Sequence, residues 1–468
     1  MTSIHDRIAA ARDKRAVELD LSSLELHELP PEIGTVSTLV RLDVSGNELT
    51  RLPAELGRLT KLRTLHICEN ALVDLPPELV QLTDLRDLCV AGNRLRGLPW
   101  WVSQLRSLTM LSFDRTDTEQ VPEWIGELTQ LRDLLMNRNR ITSLPASVFA
   151  LPFLSKLDVE DNEIDLLPRE IGRAVHLRRL VLSQNRLRAL PEDIGELVEM
   201  EKLWLDENEL VRLPEAIGAC IDLQALSLGG NRLDSLPAKI GGLRRLEYLS
   251  LSENLFKTVP AVIGELQALQ RLWIDHNQIE SLPPELGSAT RLRELHAQRN
   301  EITDVPVEMT RLRDLVELDL SSNKLESIPP TVTRLTLHQL DVSDNRLREL
   351  PDAIGELRLL TKLDASMNRL VGIPESLTRL WQLRELNLER NRIRELPETM
   401  AKLRMLEELR LAHNVLGDLP TTLIEPSRHF RVLTLKDNLL RRSQEALGTD
   451  APADERRKRV IQIVSDDD

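Results

Sequence analysis

Met200-Glu201-Lys202-Leu203-Trp204-Leu205-Asp206-Glu207-Asn208-Glu209-Leu210 is the stretch whose spacing decides the fold. Leu203 and Leu205 alternate with other residues, the period of a β-strand with one face turned inward. Asn208 follows three residues later. Its amide offers both a donor and an acceptor, so it can satisfy buried backbone groups that no strand partner reaches. Leu210 resumes the apolar face. Trp204 is the departure, an aromatic where the spacing asks only for a solvent-facing side chain.

The same spacing extends in both directions. From Leu19 the unit reads Leu-x-x-Leu-x-Leu-x-x-Asn-x-Leu-x-x-Leu-Pro-x-x-Ile-Gly-x-Leu-x-x, and the Asn column runs from Asn47 to Asn438, with Leu24 and Thr116 filling two of its nineteen places. Successive repeats are 23 residues apart, except for 22 between Asn323 and Asn345 and 24 between Asn414 and Asn438, where Glu425-Pro426-Ser427 lies in the longer connection. Proline cannot donate to a sheet, so Leu-Pro and the following Ile-Gly belong to an outer arc of short turns or 3₁₀ segments. That arc is bulkier than the strands, so the stack is expected to curve.

Composition agrees. A chain of 468 residues suggests roughly three domains on length alone, but that prior gives way to a short repeated unit. Apolar residues make up 41% and aromatics 3%, so the core must be many small aliphatic layers. A net charge of −14 repels phosphate backbones and anionic membranes, which weighs against nucleic acid and membrane partners. The start, Met1 to Ile8, lacks the apolar run of a secretory signal, and no run is long enough to span a membrane, so a cytoplasmic location is expected. Cysteine usage points the same way. Cys220 takes a buried Leu position, while Cys68 and Cys89 fall on neighbouring strands two residues out of step. Strand geometry puts their Cα atoms roughly 8 Å apart, so all three are expected as free thiols.

Residues 1–16 read as an N-terminal capping helix, with a Ser3/Asp6 capping box and Ile4, Ile8 and Ala11 on one face, covering the first layer. Residues 17–440 form the repeats, and 441–468 a C-terminal cap or charged tail, in which Arg456-Arg457-Lys458-Arg459 reads as a solvated helix face. The fifth repeat departs most: Thr116 replaces Asn and Thr118 replaces an inward Leu, which predicts a less filled, less tied turn.

This pattern resembles the leucine-rich-repeat family, and specifically its intracellular 23-residue class, seen in Ras-pathway scaffold proteins and in the repeat arrays of bacterial Roco proteins. The resemblance covers residues 17 to about 440. It implies an α/β solenoid, a leucine-rich-repeat superhelix with a concave parallel β-sheet and an outer arc of turns and 3₁₀ segments. It also implies signalling proteins, small GTPases among them, as partners.

On the concave side the rigid, paired backbone presents the residues beside each inward Leu. The central column, four residues before each Asn, is polar at both ends and apolar in the middle, where Leu135, Val181, Trp204 and Trp273 precede His296. The adjoining column gives Lys156, Arg179 and Lys202 on successive repeats, then Tyr248 and Arg271. Usual strand spacing puts Trp204 and Trp273 about 14 Å apart, which suits a folded partner or a long peptide better than a metabolite. These ten residues are the candidate binding site. Trp and Tyr are enriched at binding hot spots, though isolated surface hydrophobes are also ordinary. Next to them Glu294, Glu317, Asp319, Asp341 and Asp364 form a row of carboxylates, either a second site for a basic partner or a solvated face. Trp101 and Trp124 share a place on the outer arc beside Trp100 and read as packing around the fifth repeat, while Trp381 lies in a loop.

Signals for chemistry are weak. There is no phosphate-binding loop and no kinase motif. Asp275, His276 and His296 come from different columns without a third close His, so they read as polar surface, with no metal and no cofactor. The chain is therefore expected to be a non-catalytic protein-protein interaction scaffold. The alternatives are the targeting subunit of an enzyme or a bacterial effector whose catalysis lies elsewhere, and a solenoid with no dedicated partner.

Overall fold

A computed structural model describes residues 3–420, 423 and 430–440. The expectations for 441–468, the basic run and Glu425-Pro426-Ser427 lie outside the described residues. The chain divides into two compact units, the first made of Met1–Arg232 with Leu236–Leu243, the second of Leu233–Ser235 with Arg244–Asp468. Among the described residues the first holds helix α1 (Ile4–Asp13) and ten strands from β1 (Glu18–Asp20) to β10 (Ala225–Ser227), and the second nine, from β11 (Tyr248–Ser250) to β19 (Val432–Thr434).

In each unit the strands follow chain order and pair in parallel, with the central Leu of one strand opposite that of the next, as Leu180 is opposite Leu203 and Leu272 opposite Leu295. A three-residue strand is enough because the repeat supplies only one inward Leu inside it, and Leu203 and Leu205 are both fully buried. The chain then turns on a left-handed residue just before the Asn, such as Glu207 with φ 53°. Asn208 fixes that turn. Its Oδ1 accepts the N–H of Leu187 at 3.0 Å, and its Nδ2 donates to the carbonyls of Leu182 at 2.9 Å and Leu205 at 3.1 Å. One amide thus ties its own repeat to the preceding one.

On the opposite side, one 3₁₀ turn per repeat starts after the proline, as in Glu192–Glu196 after Pro191. Glycine is required here by space: a Cβ on Gly195 would lie 2.6 Å from the carbonyl oxygen of Ala216 in the next turn. In the sixth repeat this turn is instead a short α-helix, α2 (Ala146–Phe149). Helix α1 carries the predicted capping box, with Asp6 N–H donating to Ser3 Oγ at 3.2 Å and Ser3 N–H to Asp6 Oδ2 at 3.3 Å. Its Ile8 and Ala11 are buried against the first 3₁₀ turn, Pro31–Thr35.

One expectation is corrected. Cys68 and Cys89 are joined by a disulfide, with Cα atoms 5.8 Å apart, so only Cys220 is a free thiol. The longer separation assumed that Cys68 continues a straight strand. Strand β3 (Thr64–His66) instead ends two residues earlier, so Cys68 lies outside it and is not held to the strand's straight spacing. The fifth repeat is less tied to its predecessor, as its sequence predicts, while its two threonines satisfy each other. Thr116 and Thr118 are each 1% exposed and share a hydrogen bond at 2.9 Å, and Thr116 Oγ1 donates to Phe113 O at 2.8 Å. Among the described residues no hydrogen bond from the Thr116 hydroxyl reaches back into the fourth repeat.

Candidate partner-binding face

The strands that carry the ten predicted site residues expose one sheet face in each unit. In the first unit Leu135, Lys156, Val181, Arg179, Lys202 and Trp204 stand on β6 (Asp133–Leu135), β7 (Lys156–Asp158), β8 (Arg179–Val181) and β9 (Lys202–Trp204). Lys156, Arg179 and Lys202 are register partners in one row, and Arg179 and Lys202 are exposed. Leu135 is half-buried. Trp204 is half-buried too, and its Nε1 is shielded from solvent without a hydrogen-bond partner. Its register neighbour Val181 is only 5% exposed, so neighbouring side chains cover the middle of this face.

Residues the sequence did not single out complete that surface. Asp158, beside Lys156 at 3.9 Å, is buried, its Oδ1 has no hydrogen-bond partner, and burial raises its pKa against the pull of Lys156 and Arg179. Burial and the Asp158 charge raise Glu160 as well. Asp206 is a strand-to-strand tie, accepting the Ser227 hydroxyl at 2.6 Å and the Gly229 N–H at 2.8 Å. A small polar residue two places before the Asn was the only signal for that role.

In the second unit the geometry is tighter. Tyr248 on β11 meets Trp273 on β12 (Arg271–Trp273) edge-on, with centroids 5.8 Å apart, and Trp273 meets His296 on β13 (Glu294–His296) at 5.2 Å. The Arg271 guanidinium lies over the Tyr248 ring, 5.5 Å from its centroid. Trp273 remains 39% exposed, so the cluster ends in an open indole. All four residues predicted here are thus brought into one contiguous step. It continues into the carboxylates: His296 Nε2 is 3.9 Å from Glu317 Oε1, and Asp319, Asp341 and Asp364 are register neighbours. Burial, reinforced by the charges of Asp364 and Asp319, pushes Asp341 from the ordinary 3.8 up to about 6.

Other candidates are occupied. His276 Nδ1 is 2.8 Å from Asp275 Oδ2 and its Nε2 is 2.8 Å from an Arg299 guanidinium nitrogen, and among the described residues no group of three or more His, Cys, Asp or Glu side chains is placed to hold a metal. A shallow groove of about 520 Å³ beside the first unit's strands is lined by Arg132, Phe153, His176, Arg178 and Glu199. Arg132 lies over the Phe153 ring, and His176 and Arg178 both pair with Glu199. Trp101 is buried, Trp100 and Trp381 are exposed, and Trp124 is half-buried. Among the described residues no helix is long and apolar enough to cross a membrane.

Comparison with known proteins agrees with this geometry. A family model described as "Leucine-rich repeat region" matches residues 54–138, 123–209 and 203–301, together more than half of the chain, and one described as "Leucine Rich Repeat" matches 314–335 and 336–357. No curated protein sequence matches. Among solved structures, a Leptospira interrogans leucine-rich-repeat protein is 29% identical with a TM-score of 0.69, covering 93% of this chain and 94% of its own. The Arabidopsis receptor kinase HAESA, solved with the peptide hormone IDA and the co-receptor SERK1, is 30% identical with a TM-score of 0.68, covering 90% and 74%. The plant peptide hormone receptor RGFR1, solved in complex with RGF2, is 26% identical with a TM-score of 0.68, covering 88% and 76%.

Proposed function

Because the chain belongs to the leucine-rich-repeat family, we propose that it is a non-catalytic binding protein whose protein or peptide partner lies on the exposed sheet face. The observation that carries this reading is the Tyr248–Trp273–His296 step, with an indole 39% exposed at its end and a rigid parallel sheet beneath it. A surface already ordered before contact loses little entropy on binding, and a central Trp is a common anchor. The similar receptors solved with peptide hormones support a peptide or protein ligand. The finer expectations of a scaffold role in signalling and a small GTPase as partner rest on the 23-residue repeat pattern alone, and a cytoplasmic location does not follow from it. The location also loses the argument from free cysteines, since disulfides persist mainly in oxidising compartments; cell fractionation tests it. In the first unit, Trp204 with Lys156, Arg179 and Lys202 is a second contact patch in the same reading. The test is partner recovery with Trp273→Ala and Trp204→Ala, made separately and checked for folding by circular dichroism. Loss with Trp273→Ala supports the reading, and full recovery with both variants overturns it.

A further inference from the structure

Strands β12 to β17 (Glu385–Asn387) of the second unit carry an imbalance that the fold does not need. The residues that begin and end these strands include six carboxylates, Glu294, Glu317, Asp319, Asp341, Asp364 and Glu385, against two permanent cations, Arg271 and Lys362. Both cations are engaged, Arg271 over the Tyr248 ring and Lys362 with Glu385 at 3.8 Å. Oδ1 of Asp319, Asp341 and Asp364 each accepts the N–H two residues on, at 2.9 Å, and Asp364 also accepts the Ser366 hydroxyl at Oδ1 at 2.6 Å and the Asn387 amide at Oδ2 at 2.7 Å. An Asn side chain would accept the N–H equally well. Among the described residues none of the three has a cationic partner, although all three are half-buried and stand in adjacent register. The pKa of Asp341 is raised first by burial and then by the charges of Asp364 and Asp319 beside it.

At one end of this row lies the aromatic step, where Arg271 on Tyr248 already demonstrates that these rings accept a guanidinium. We propose that this face of the second unit binds an extended, lysine- and arginine-rich segment of a protein partner, with an apolar side chain on Trp273 and its cations along Asp319, Asp341 and Asp364. The inference rests on the proposed binding function and adds the partner's chemistry. Nucleic acid does not fit a surface of this sign, and the aspartates lack the grouping a metal ion needs. Long lysine and arginine stems adapt to carboxylates about 4.8 Å apart along the sheet.

The experiment is fluorescence anisotropy on the full chain, with three synthetic peptides that each hold one central Trp: one rich in Lys and Arg, one with Gln in their place, and one with Glu. The expected result is binding of the basic peptide only, weakened about tenfold when Asp319, Asp341 and Asp364 are all changed to Asn and weakened again by raised salt. A charge-matched variant on the outer side of the same unit, Glu285→Gln with Glu356→Gln and Glu375→Gln, should leave it unchanged. Equal binding of the Gln peptide, equal loss in the outer variant, or no binding of the basic peptide overturns the basic-partner inference. If a natural partner is still recovered in a Trp273-dependent way, the binding function itself stands. Full recovery of every ligand with both Trp273→Ala and Trp204→Ala would overturn that reading instead.

Discussion

The Trp273 indole sits edge-on to the Tyr248 ring, with centroids 5.8 Å apart and planes inclined by 70°. Edge-to-face contact satisfies part of each ring's surface and holds the indole in one orientation without burying it. An exposed aromatic held this way is a ready anchor, because the entropy of fixing it has already been lost. The opposite case is Trp204, half-buried beside a covered Val181, which is more committed to its own sheet.

Asn208 should be among the costliest single positions in its layer. Asn208→Ala removes one accepted and two donated bonds in a buried site and leaves the Leu187 N–H without its partner. The expected loss is about 2–4 kcal/mol, read as a lower urea midpoint. A loss within about 0.5 kcal/mol would mean that the strands alone hold the stack.

The fifth repeat offers the converse change. In other repeats the Asn amide reaches the N–H 21 residues back and the carbonyl 26 residues back, as Asn93 does with Leu72 and Ile67. Thr116→Asn with Thr118→Leu should restore that link, to Leu95 and Val90, and fill the inward Leu place. The double variant is expected to melt higher, by about 1 kcal/mol of added stability. An unchanged or lower melting temperature would show that the threonine pair suits this layer better than the common pattern does.

Asp341 makes the stability of the second unit depend on pH in a defined direction. Its carboxyl is raised from 3.8 to about 6 in the folded chain, so the folded state resists the charge. Stability from this group is therefore full below 3.8 and lost as pH rises to about 6, after which it is flat. Asp341→Asn should melt higher than the parent above pH 6 and match it at the acid end of the window. Thermal melts across the range check the sign. A variant that is less stable at neutral pH would contradict it.

The disulfide gives a direct count. Protein purified without reductant and unfolded in guanidinium should yield one reactive thiol per chain, that of Cys220, rather than three. Closing a loop of this length is worth about 3 kcal/mol, so reductant should lower the unfolding midpoint of the first unit. Three thiols would return the cysteines to the state read from the sequence.

The repeat itself was legible from residues 200–210, because strand period, Asn placement and proline position are local requirements that each layer restates. Trp273, Tyr248, Arg271 and His296 were legible as a group for the same reason: in a parallel sheet of fixed register, column and repeat number give position. What escaped depends on where the chain leaves the strand. The Cys68–Cys89 bridge needed the end of strand β3 at His66, and the burial of Val181 and Asp158 needed the sizes and rotamers of their neighbours. The hydroxyl pair of Thr116 and Thr118 was visible as a departure, but that the two would satisfy each other at 2.9 Å was not.

The central claim, a partner held on the aromatic step of the second unit, is tested most directly by photo-crosslinking. A benzophenone-bearing phenylalanine in place of Trp273 retains an aromatic on the sheet face, and the same residue in place of Glu285 marks the outer side. One partner species is expected to be crosslinked from the Trp273 position, with a lower yield in Tyr248→Ala and none from the Glu285 position. Crosslinking from Glu285 with none from the Trp273 position would contradict the claim.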